Sequence, residues 1–315
     1  MKRVLITGIS GFIGQALAKR FADGFEVHGV YESPKSKAKN PEIALGHKYL
    51  ADLTDHAAIE GLIQDLQPHV VIHLAAKSEV ALSFDNYLQV SEVNYVGTVN
   101  LAEANRKRNP QLELFCMAST METYGHHDRK DGPFTEDTPQ YPMAPYAVAK
   151  LACEKYLRYM EYAYSFPSVI LRQTNAYGRT DNAFFIVERI ISQMLESNVC
   201  RLGNPDPYRN FLFINDLVDL YELLLAEPTK VRGQTFVTGP PNAVQIRDLA
   251  VLIQEKLDWG GEIEWHTQPP RPGEIYYLES DGLKLEQHLG WKAKTSISEG
   301  LDRTIEVWRT RPSAS

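Results

Sequence analysis

The feature that most constrains this chain lies at its start, where glycines separate a strand-like run from a helix-like one. Arg3–Thr7 is a short β-branched and aliphatic run, and Phe12–Phe21 carries apolar residues at helical spacing. Gly8 permits a sharp turn, Gly11 lets an anion approach the backbone, and Gly14 lets the helix pack close to the strand. The pattern predicts a strand, turn and helix whose helix N-terminus offers N–H groups and partial positive charge to a phosphate.

Strand-like and helix-like runs continue to alternate along the chain. The strand-like runs are Glu26–Tyr31, Val70–Leu74, Leu112–Met117 and Ser168–Leu171, and longer helical segments such as Ala57–Leu66 lie between them. Continuous apolar runs of this length are typical of parallel strands that helices cover on both faces. We therefore expect an α/β fold with a doubly wound parallel (Rossmann) sheet.

The alternation becomes less regular after about residue 175, where prolines mark loops. A chain of 315 residues is long enough for one large lobe with a smaller one attached. We predict a dinucleotide-binding domain over residues 1–174, to which residues 211–240 return. A smaller, mostly helical substrate lobe is predicted over residues 175–210 and 241–315.

Composition and charge exclude several classes of protein. The net charge of -7 argues against a nucleic-acid partner, and no apolar run approaches the roughly 20 residues that a membrane span requires. Cys116, Cys153 and Cys200 are odd in number and widely spaced, which predicts no disulfide framework and a cytoplasmic location. His126 and His127 lack a third ligand at suitable spacing, so we expect no metal. Anions must therefore bind to local features such as the glycine turn.

Tyr146 and Lys150 form the strongest candidate for a catalytic pair. They stand four residues apart, hence on one face of a helix that Pro145 is suited to begin. A phenol with a pKa of about 10 is a poor base at neutral pH, but a neighbouring ammonium and an oxidised nicotinamide both favour the phenolate. Thr120 follows the strand Leu112–Met117 at its carboxyl end, where doubly wound sheets bind ligands, and is expected to hydrogen-bond the reacting oxygen.

The Gly-x-x-Gly-x-x-Gly spacing resembles the fingerprint of the extended branch of the short-chain dehydrogenase/reductase superfamily. Asp52 and Leu53 are similar to the pair that meets the adenine in this branch. The run from His73 to Ala76 resembles the strand end that lines the cofactor, and Asn94–Thr98 resembles the helix segment behind the active site. The resemblance implies a nicotinamide cofactor bound by Gly8, Gly11, Phe12, Ile13, Gly14, Tyr31, Ser33, Lys35, Asp52, Leu53, Leu74, Ala75, Ala76, Tyr146 and Lys150.

The end of the second strand bears on the choice between NAD and NADP. NAD-dependent relatives carry there an Asp that accepts from the ribose hydroxyls, and this chain has Tyr31. Ser33 and Lys35 follow and suit a 2′-phosphate. Glu32 would instead suit the ribose if the register slipped by one residue. We expect NADP, with NAD as the alternative.

The run Ala-Ser-Thr-Met-Glu-Thr-Tyr-Gly, which contains Thr120 and Glu122, is similar to a segment of GDP-mannose 4,6-dehydratases. The resemblance implies that Glu122 is the base that removes the C5 proton after oxidation at C4. Water then leaves from C6, and hydride returns to C6. The chain is thus expected to be a nucleotide-sugar 4,6-dehydratase.

One residue departs from the pattern of related dehydratases. The dTDP-glucose enzymes carry an Asp before the Glu as the acid for the leaving hydroxyl, and this chain has Met121. Either Glu122 serves as both base and acid, or no elimination occurs. A nucleotide-sugar 4-epimerase or a 4-keto-sugar reductase needs only Thr120, Tyr146 and Lys150. A non-catalytic protein that senses NAD(P) is a more remote alternative.

The second half of the chain contains the candidate contacts to a nucleotide-diphosphate sugar. A segment around Asn175 resembles the family's Arg-x-x-Asn-x-Tyr-Gly, with Arg179 in place of the Pro that follows there. Arg209, in a segment similar to the family's substrate loop, and Arg271 are expected to contact the phosphates. The resemblance also implies a homodimer that pairs through the helix carrying Tyr-x-x-x-Lys. The predicted substrate contacts are Lys77, Ser78, Asn175, Arg209 and Arg271.

Overall fold

A central parallel sheet organises the first part of the chain in the computed structural model, which describes residues 1–33, 47–128 and 131–311. The strands of the described residues are β1 (Arg3–Thr7), β2 (Glu26–Tyr31), β3 (His47–Leu50), β4 (Val70–His73), β5 (Leu114–Thr120), β6 (Ser168–Gln173), β7 (Asn175–Tyr177), β8 (Val199–Arg201), β9 (Tyr208–Arg209), β10 (Phe211–Phe213), β11 (Thr235–Val237), β12 (Val244–Gln245), β13 (Glu262–Glu264) and β14 (Tyr277–Leu278).

Helices connect most of these strands, and the longest contains the predicted catalytic pair. The helices of the described residues are α1 (Phe12–Phe21), α2 (His56–Leu66), α3 (Val80–Ser83), α4 (Tyr87–Ser91), α5 (Gly97–Arg108), α6 (Pro145–Tyr164), α7 (Ile186–Glu196), α8 (Ile214–Ala226), α9 (Pro228–Val231), α10 (Ile246–Leu257), α11 (Leu283–Leu289) and α12 (Ile297–Arg309). A π-helical turn, Glu92–Val96, precedes α5, and a 3₁₀ turn, Met121–Thr123, follows β5.

Seven strands of the described residues form one sheet in the order β11-β6-β5-β4-β1-β2-β3. The chain leaves β1 for β2 and β3 on one side and then crosses to β4 on the other side. Thr7 and His73, the last residues of β1 and β4, are partners in the parallel register. The order therefore places a topological switch point at the carboxyl ends of these two strands, where doubly wound sheets bind their ligands. The predicted Rossmann sheet is confirmed.

A buried apolar core holds helices against this sheet. Leu5, Val71 and Phe115 come from β1, β4 and β5, and all three are fully buried. Ile63 from α2 and Leu157 from α6 join the same cluster. Burial of a side chain of this size contributes about 1.5–3 kcal/mol, so the core fixes the helices that bear on the switch point.

The described residues separate into two compact units. The predicted domain boundary lies at residue 174, and the first unit has its corresponding boundary at Arg172. No helix in the described ranges is long and apolar enough to cross a membrane. The first unit contains Met1–Gly125, Pro139–Arg172 and Val218–Phe236, and the second contains His126–Thr138, Gln173–Leu217 and Val237–Ser315.

Candidate active site

The glycine turn after β1 is too tight for side chains. Gly8 has a φ of +69°, and a Cβ there would lie 2.8 Å from the backbone nitrogen of Ala75. A Cβ on Gly14 would lie 2.5 Å from the carbonyl oxygen of Gly8. The N–H of Gly11 donates to that same carbonyl at 2.9 Å. The turn therefore brings bare backbone to the start of α1.

The N-terminus of α1 suits an anion. Gly11 is its N-cap and supplies no capping side chain, so no side chain at that position satisfies the first N–H groups of the helix. Phe12 and Ile13, in the first turn, are half-buried. A helix N-terminus of this kind, reached through bare backbone, fits the diphosphate of a dinucleotide.

The loop after β4 forms the neighbouring wall. The backbone N–H of Leu74 donates to the carbonyl of Thr7 at 3.2 Å, and the N–H of Ala75 donates to the Thr7 hydroxyl at 3.3 Å. Asn94, buried in the π-helical turn, accepts from the N–H of Lys77 at 2.8 Å and donates to its carbonyl at 3.2 Å. Because both ends are held, the backbone of Leu74 to Lys77 has a fixed path.

A directed chain of hydrogen bonds lies behind this wall. The Thr98 hydroxyl donates to the Asn94 carbonyl at 2.5 Å, so its oxygen accepts from His73 Nε2 at 2.8 Å. His73 Nδ1 then accepts from the Thr7 hydroxyl at 2.7 Å. Burial lowers the pKa of His73 to about 3, and the Lys150 ammonium acts in the same direction. His73 is therefore a neutral imidazole whose tautomer its neighbours determine.

The end of β2 carries a buried phenol and an exposed carboxylate. Tyr31 is 1% exposed, whereas Glu32 is exposed and pairs with the Lys77 ammonium at 2.9 Å. Ser33 is half-buried, and Lys35 lies outside the described residues. Lys77, predicted to contact the substrate, therefore has its ammonium at the end of β2, and Ser78 beside it is exposed.

The predicted adenine pair occupies the turn before α2. The Asp52 carboxylate accepts from the N–H and the hydroxyl of Thr54, at 2.9 and 2.8 Å. Leu53 is buried, and its carbonyl accepts from the Asn100 side chain at 2.9 Å. A Cβ on Gly97 would lie 2.9 Å from the Cβ of Leu53. The glycine at the start of α5 therefore lets Leu53 reach its position.

Lys150 and Tyr146 lie in the first half of α6, which has Pro145 at its first position. The Lys150 ammonium is buried and donates to the carbonyl of Ala118 at 2.8 Å. Burial raises the pKa of Tyr146 well above its ordinary value, and the Glu122 carboxylate raises it further. A hydrogen bond with Thr120 acts in the opposite direction. The triad of Thr120, Tyr146 and Lys150 is thus assembled at the carboxyl end of β5.

The influence of Lys150 on the Tyr146 phenolate stays a prediction, because burial dominates the pKa of that phenol. Burial also lowers the pKa of Lys150 itself, and its ammonium is directed to a backbone carbonyl. The dominant influence on the phenol is the loss of water around it, which disfavours the phenolate. Four-residue spacing on a helix could not reveal this, because it says nothing about burial.

Glu122 stands in the 3₁₀ turn directly after β5. The Thr120 hydroxyl accepts from the N–H of Glu122 at 3.2 Å, and the Thr123 hydroxyl donates to the carbonyl of Thr120 at 2.9 Å. Glu122 is half-buried, and its charge acts on Tyr146. Met121 is 2% exposed. The position that carries the acid in dTDP-glucose dehydratases is therefore part of the apolar core.

The predicted phosphate contacts belong to the second unit. Asn175 is exposed in β7. Arg209 is 5% exposed and donates to the carbonyls of Tyr208 and Ile275 at 2.9 and 2.7 Å. Arg271 donates to Glu274 at 2.7 Å. Both guanidinium groups are therefore held in place by their own unit.

The structure explains why Arg179 stands where the family's segment has a proline. Its backbone N–H and that of Gly178 donate to one oxygen of the buried Glu188 carboxylate, both at 2.9 Å. Its guanidinium donates to the Ala176 carbonyl at 2.6 Å and lies 3.7 Å from the centre of the Phe185 ring. A proline could supply neither the N–H nor the cation. Arg179 thus closes the loop after β7 within the second unit.

Sequence reasoning missed two buried groups near the triad. His73 was interpreted only as a strand end, and its hydrogen-bond partners depend on the sheet register. Glu154 lies four residues after Lys150, on the same face of α6, and forms a buried ion pair with Arg172 at 2.9 Å. The spacing Tyr-x-x-x-Lys-x-x-x-Glu was a signal for Glu154, since a charge one helical turn beyond a buried Lys faces the same interior.

The structure places a glycine cradle, formed by Gly8, Gly11 and Gly14, at the switch point of the sheet, and the triad of Thr120, Tyr146 and Lys150 at the carboxyl end of β5. This fold and this site together define a nicotinamide-dependent enzyme of the extended short-chain dehydrogenase/reductase superfamily. A family model described as GDP-mannose 4,6 dehydratase matches residues 5–304. The chain belongs to this family and is an enzyme of its nucleotide-sugar dehydratase and epimerase group.

Individual relatives include both activities of the group. The UDP-glucose 4-epimerase of Mycolicibacterium smegmatis is 30% identical, with 98% of this chain and 99% of the relative covered. The dTDP-glucose 4,6-dehydratase of Haemophilus influenzae is 27% identical, with 100% of both covered. The Thermus thermophilus UDP-glucose 4-epimerase, solved in complex with NAD, has a TM-score of 0.88 at 26% identity and covers 98% of this chain and 99% of its own. These similarities establish the family and leave the reaction to be argued from the site.

Proposed function

We propose that the chain is a nucleotide-sugar 4,6-dehydratase with a tightly bound nicotinamide cofactor. The observation that carries this proposal is Glu122, a carboxylate in the turn after β5 whose charge acts on the Tyr146 phenol. An epimerase or reductase needs an acid-base group only at C4. A carboxylate beside that group supplies a base for the neighbouring carbon.

The proposed mechanism assigns a role to each side chain. Tyr146 takes the proton of the C4 hydroxyl, to which Thr120 hydrogen-bonds, and Lys150 contributes positive charge behind them. A nicotinamide cofactor held at the glycine turn of Gly8, Gly11 and Gly14 would supply the hydride acceptor for C4 and the hydride donor for C6, and its oxidised ring would favour the Tyr146 phenolate. Glu122 removes the C5 proton, which the C4 ketone has made acidic. Because Met121 is buried and has no acidic proton, Glu122 passes this proton to the C6 hydroxyl, which leaves as water. C5 then takes up a proton from solvent as hydride reaches C6, and Tyr146 releases the C4 hydroxyl proton to solvent.

We propose NAD as the cofactor, although the sequence favoured NADP. The support is the Glu32 carboxylate at the end of β2, which suits ribose hydroxyls and repels a 2′-phosphate. Lys77 is paired with this carboxylate and so does not present a free charge to a phosphate. Titration of the cofactor-free protein should give a lower Kd for NAD than for NADP. Glu32→Gln should lower the ratio of the Kd for NADP to the Kd for NAD. A lower Kd for NADP in the unsubstituted protein contradicts the assignment.

The experiment that tests the activity is incubation with GDP-mannose, dTDP-glucose, CDP-glucose and UDP-GlcNAc, followed by mass spectrometry. Loss of one water without added reductant is the expected result. Tyr146→Phe should lower the rate by about 10²–10⁴-fold, the usual contribution of a positioned acid-base group. If Tyr146→Phe keeps full activity, the assigned triad is wrong.

A second candidate is a nucleotide-sugar 4-epimerase. Two observations favour it: Met121 is buried where dTDP-glucose dehydratases carry an acid, and the Mycolicibacterium smegmatis relative is an epimerase. Its product has unchanged mass and an inverted C4 centre. A 4-keto-sugar reductase would instead need a 4-keto substrate and would consume the reduced cofactor stoichiometrically. The incubation without reductant therefore separates the dehydratase from the other two activities, and the configuration at C4 of the recovered sugar then identifies an epimerase.

We also propose a homodimer that pairs through α6. The support is a set of large apolar side chains exposed on α6 and the preceding helices: Tyr162 is 95% exposed, and Val148, Tyr87 and Leu88 are each more than half exposed. Large apolar side chains exposed on neighbouring helices favour an interface. Tyr162→Glu should shift the protein from dimer to monomer in sedimentation analysis. A cytoplasmic location is proposed as well, supported by three buried free cysteines.

A further inference from the structure

A buried carboxylate that the mechanism does not use lies one helical turn beyond Lys150. Glu154 is 2% exposed, and both of its oxygens are occupied. One accepts from the Ser119 hydroxyl, and the other accepts from Gln140 at 3.1 Å. Arg172 Nη2 donates to the latter oxygen at 2.9 Å, and its Nε donates to both, at 3.1 and 3.3 Å. The carboxylate thus joins α6 to the ends of β5 and β6.

Arg172 extends this chain of contacts to the turn after β5. Its Nη1 donates to the phenolic oxygen of Tyr124 at 2.9 Å, and the guanidinium lies 5.1 Å from the centre of that ring. Tyr124 is fully buried. Burial acts to lower the pKa of Arg172, but Glu154 and Tyr124 outweigh it and raise that pKa above its ordinary value. The Arg172 guanidinium therefore stays charged in the interior.

The two ends of this chain bracket the catalytic turn. Ser119 directly precedes Thr120, and Tyr124 follows Glu122 by two residues. Gly125, with a φ of +70°, then packs so closely on the carbonyl of Tyr141 that a Cβ would overlap it. A buried ion pair adds little net stability relative to an apolar core of the same shape. Because the pair contacts residues at both ends of one turn, it is suited to hold the backbone of that turn in place.

We propose that the Glu154–Arg172 pair is a positioning device that holds Ser119 and Tyr124, and so fixes Thr120 and Glu122 relative to the reacting sugar. The proposal rests on the dehydratase function for its Tyr124 end. The Ser119 end governs the C4 oxidation that Thr120 assists. The Tyr124 end governs the removal of the C5 proton by Glu122.

Tyr124→Phe tests the proposal with the smallest change, because it removes only the oxygen that accepts from Arg172. In single turnovers with enzyme in excess, the reduced cofactor reports C4 oxidation, and deuterium uptake from D₂O reports exchange at C5. The rate at C5 should fall by about tenfold to hundredfold, since misplacement of a catalytic group by about 1 Å costs that much. C4 oxidation and KM should stay within about twofold. Ser119→Ala should give the converse pattern, with C4 oxidation slowed.

The matched control is Tyr177→Phe, which removes a buried phenolic oxygen that has no hydrogen-bond partner among the described residues. It should leave both rates unchanged. The proposal is overturned if Tyr124→Phe leaves exchange at C5 unchanged, or if it lowers both rates and the unfolding temperature together. Should Tyr124→Phe not fold, Ser119→Ala decides, and unchanged C4 oxidation in that variant overturns the proposal.

The proposed function can fail separately. If the wild-type protein inverts C4 without loss of water, the dehydratase assignment is wrong and the Tyr124 end has no elimination to control. Ser119→Ala then still decides the Thr120 end, because C4 oxidation is common to both activities. If the wild-type protein does eliminate water and neither variant separates the two rates, only the positioning proposal fails.

Discussion

Replacement of Gly14 by alanine tests the close packing of α1 on the turn after β1. A Cβ at this position would lie 2.5 Å from the carbonyl oxygen of Gly8 and 2.6 Å from the Cα of Ile9. Ordinary contact begins at 3.4 Å, so restoring it from 2.5 Å needs a shift of about 0.9 Å. Both opposing atoms belong to the backbone, and no side chain can rotate to make room. The start of α1 must move away from the cradle.

The expected change in the stability of Gly14→Ala follows from two opposing effects. Alanine in a helix is favoured over glycine by about 1 kcal/mol, whereas forcing an extra methyl group into a packed core costs about 1–3 kcal/mol. The displaced N–H groups also lose hydrogen bonds to the diphosphate, and weakening one or two of them by about 1.4 kcal/mol each lowers affinity tenfold to about a hundredfold. Gly14→Ala should therefore weaken cofactor binding strongly and leave stability little changed or lower.

Calorimetric titration of the cofactor-free protein with NAD measures this effect. Gly61→Ala is the matched control, because Gly61 lies inside α2 and, apart from its chain neighbours and the nearby backbone of its own helix, no atom of the described residues lies within 4 Å of its ideal Cβ position. That control should gain up to about 1 kcal/mol of stability from helix propensity and keep the wild-type Kd. If Gly14→Ala binds NAD as tightly as the control does, the contact between Gly14 and the Gly8 carbonyl does not shape the glycine turn for the cofactor.

Three further predictions test the electrostatics. Glu122→Gln should lower the pKa of Tyr146, so that C4 oxidation persists to lower pH than in the wild type; an unmoved acidic limb contradicts the coupling. Arg179→Leu should destabilise by about 3–5 kcal/mol in urea denaturation, because it breaks a buried pair, while Arg201→Leu, in an exposed pair, should cost under about 1 kcal/mol. His73 has a lowered pKa, so its contribution to stability is present above about pH 6.5 and is lost as pH falls toward 3. His73→Asn should flatten that loss, and an unchanged slope of the unfolding free energy against pH excludes the neutral imidazole.

Local patterns in the sequence predicted the cradle, the sheet and the triad. Gly8 and Gly14 indicate a turn that admits no Cβ. Tyr146 and Lys150 must share a face if their segment is helical. Thr120 lies at the carboxyl end of a strand, and that end must lie at the ligand edge of a doubly wound sheet. Each of these inferences needs only neighbours within a few residues, which is why the sequence could supply them.

Contacts between distant segments required the tertiary structure. Arg172 and Glu154 pair across 18 residues, and Arg172 reaches Tyr124 across 48. The tautomer of His73 depends on Thr7 and Thr98, which the sheet register and a π-helical turn bring to its two ring nitrogens. No periodicity in the sequence encodes such pairings.

The state of Tyr146 shows the same division. Its position one helical turn before Lys150 was determined by the sequence alone, and so was the presence of Glu122 two residues after Thr120. The sign of its pKa shift was decided only by the fold, because burial and the approach of Glu122 outweigh the hydrogen bond with Thr120. Sequence spacing determines which groups can lie close together, whereas the tertiary structure decides how much water remains around them. That water sets how strongly each charge in the site acts on its neighbours.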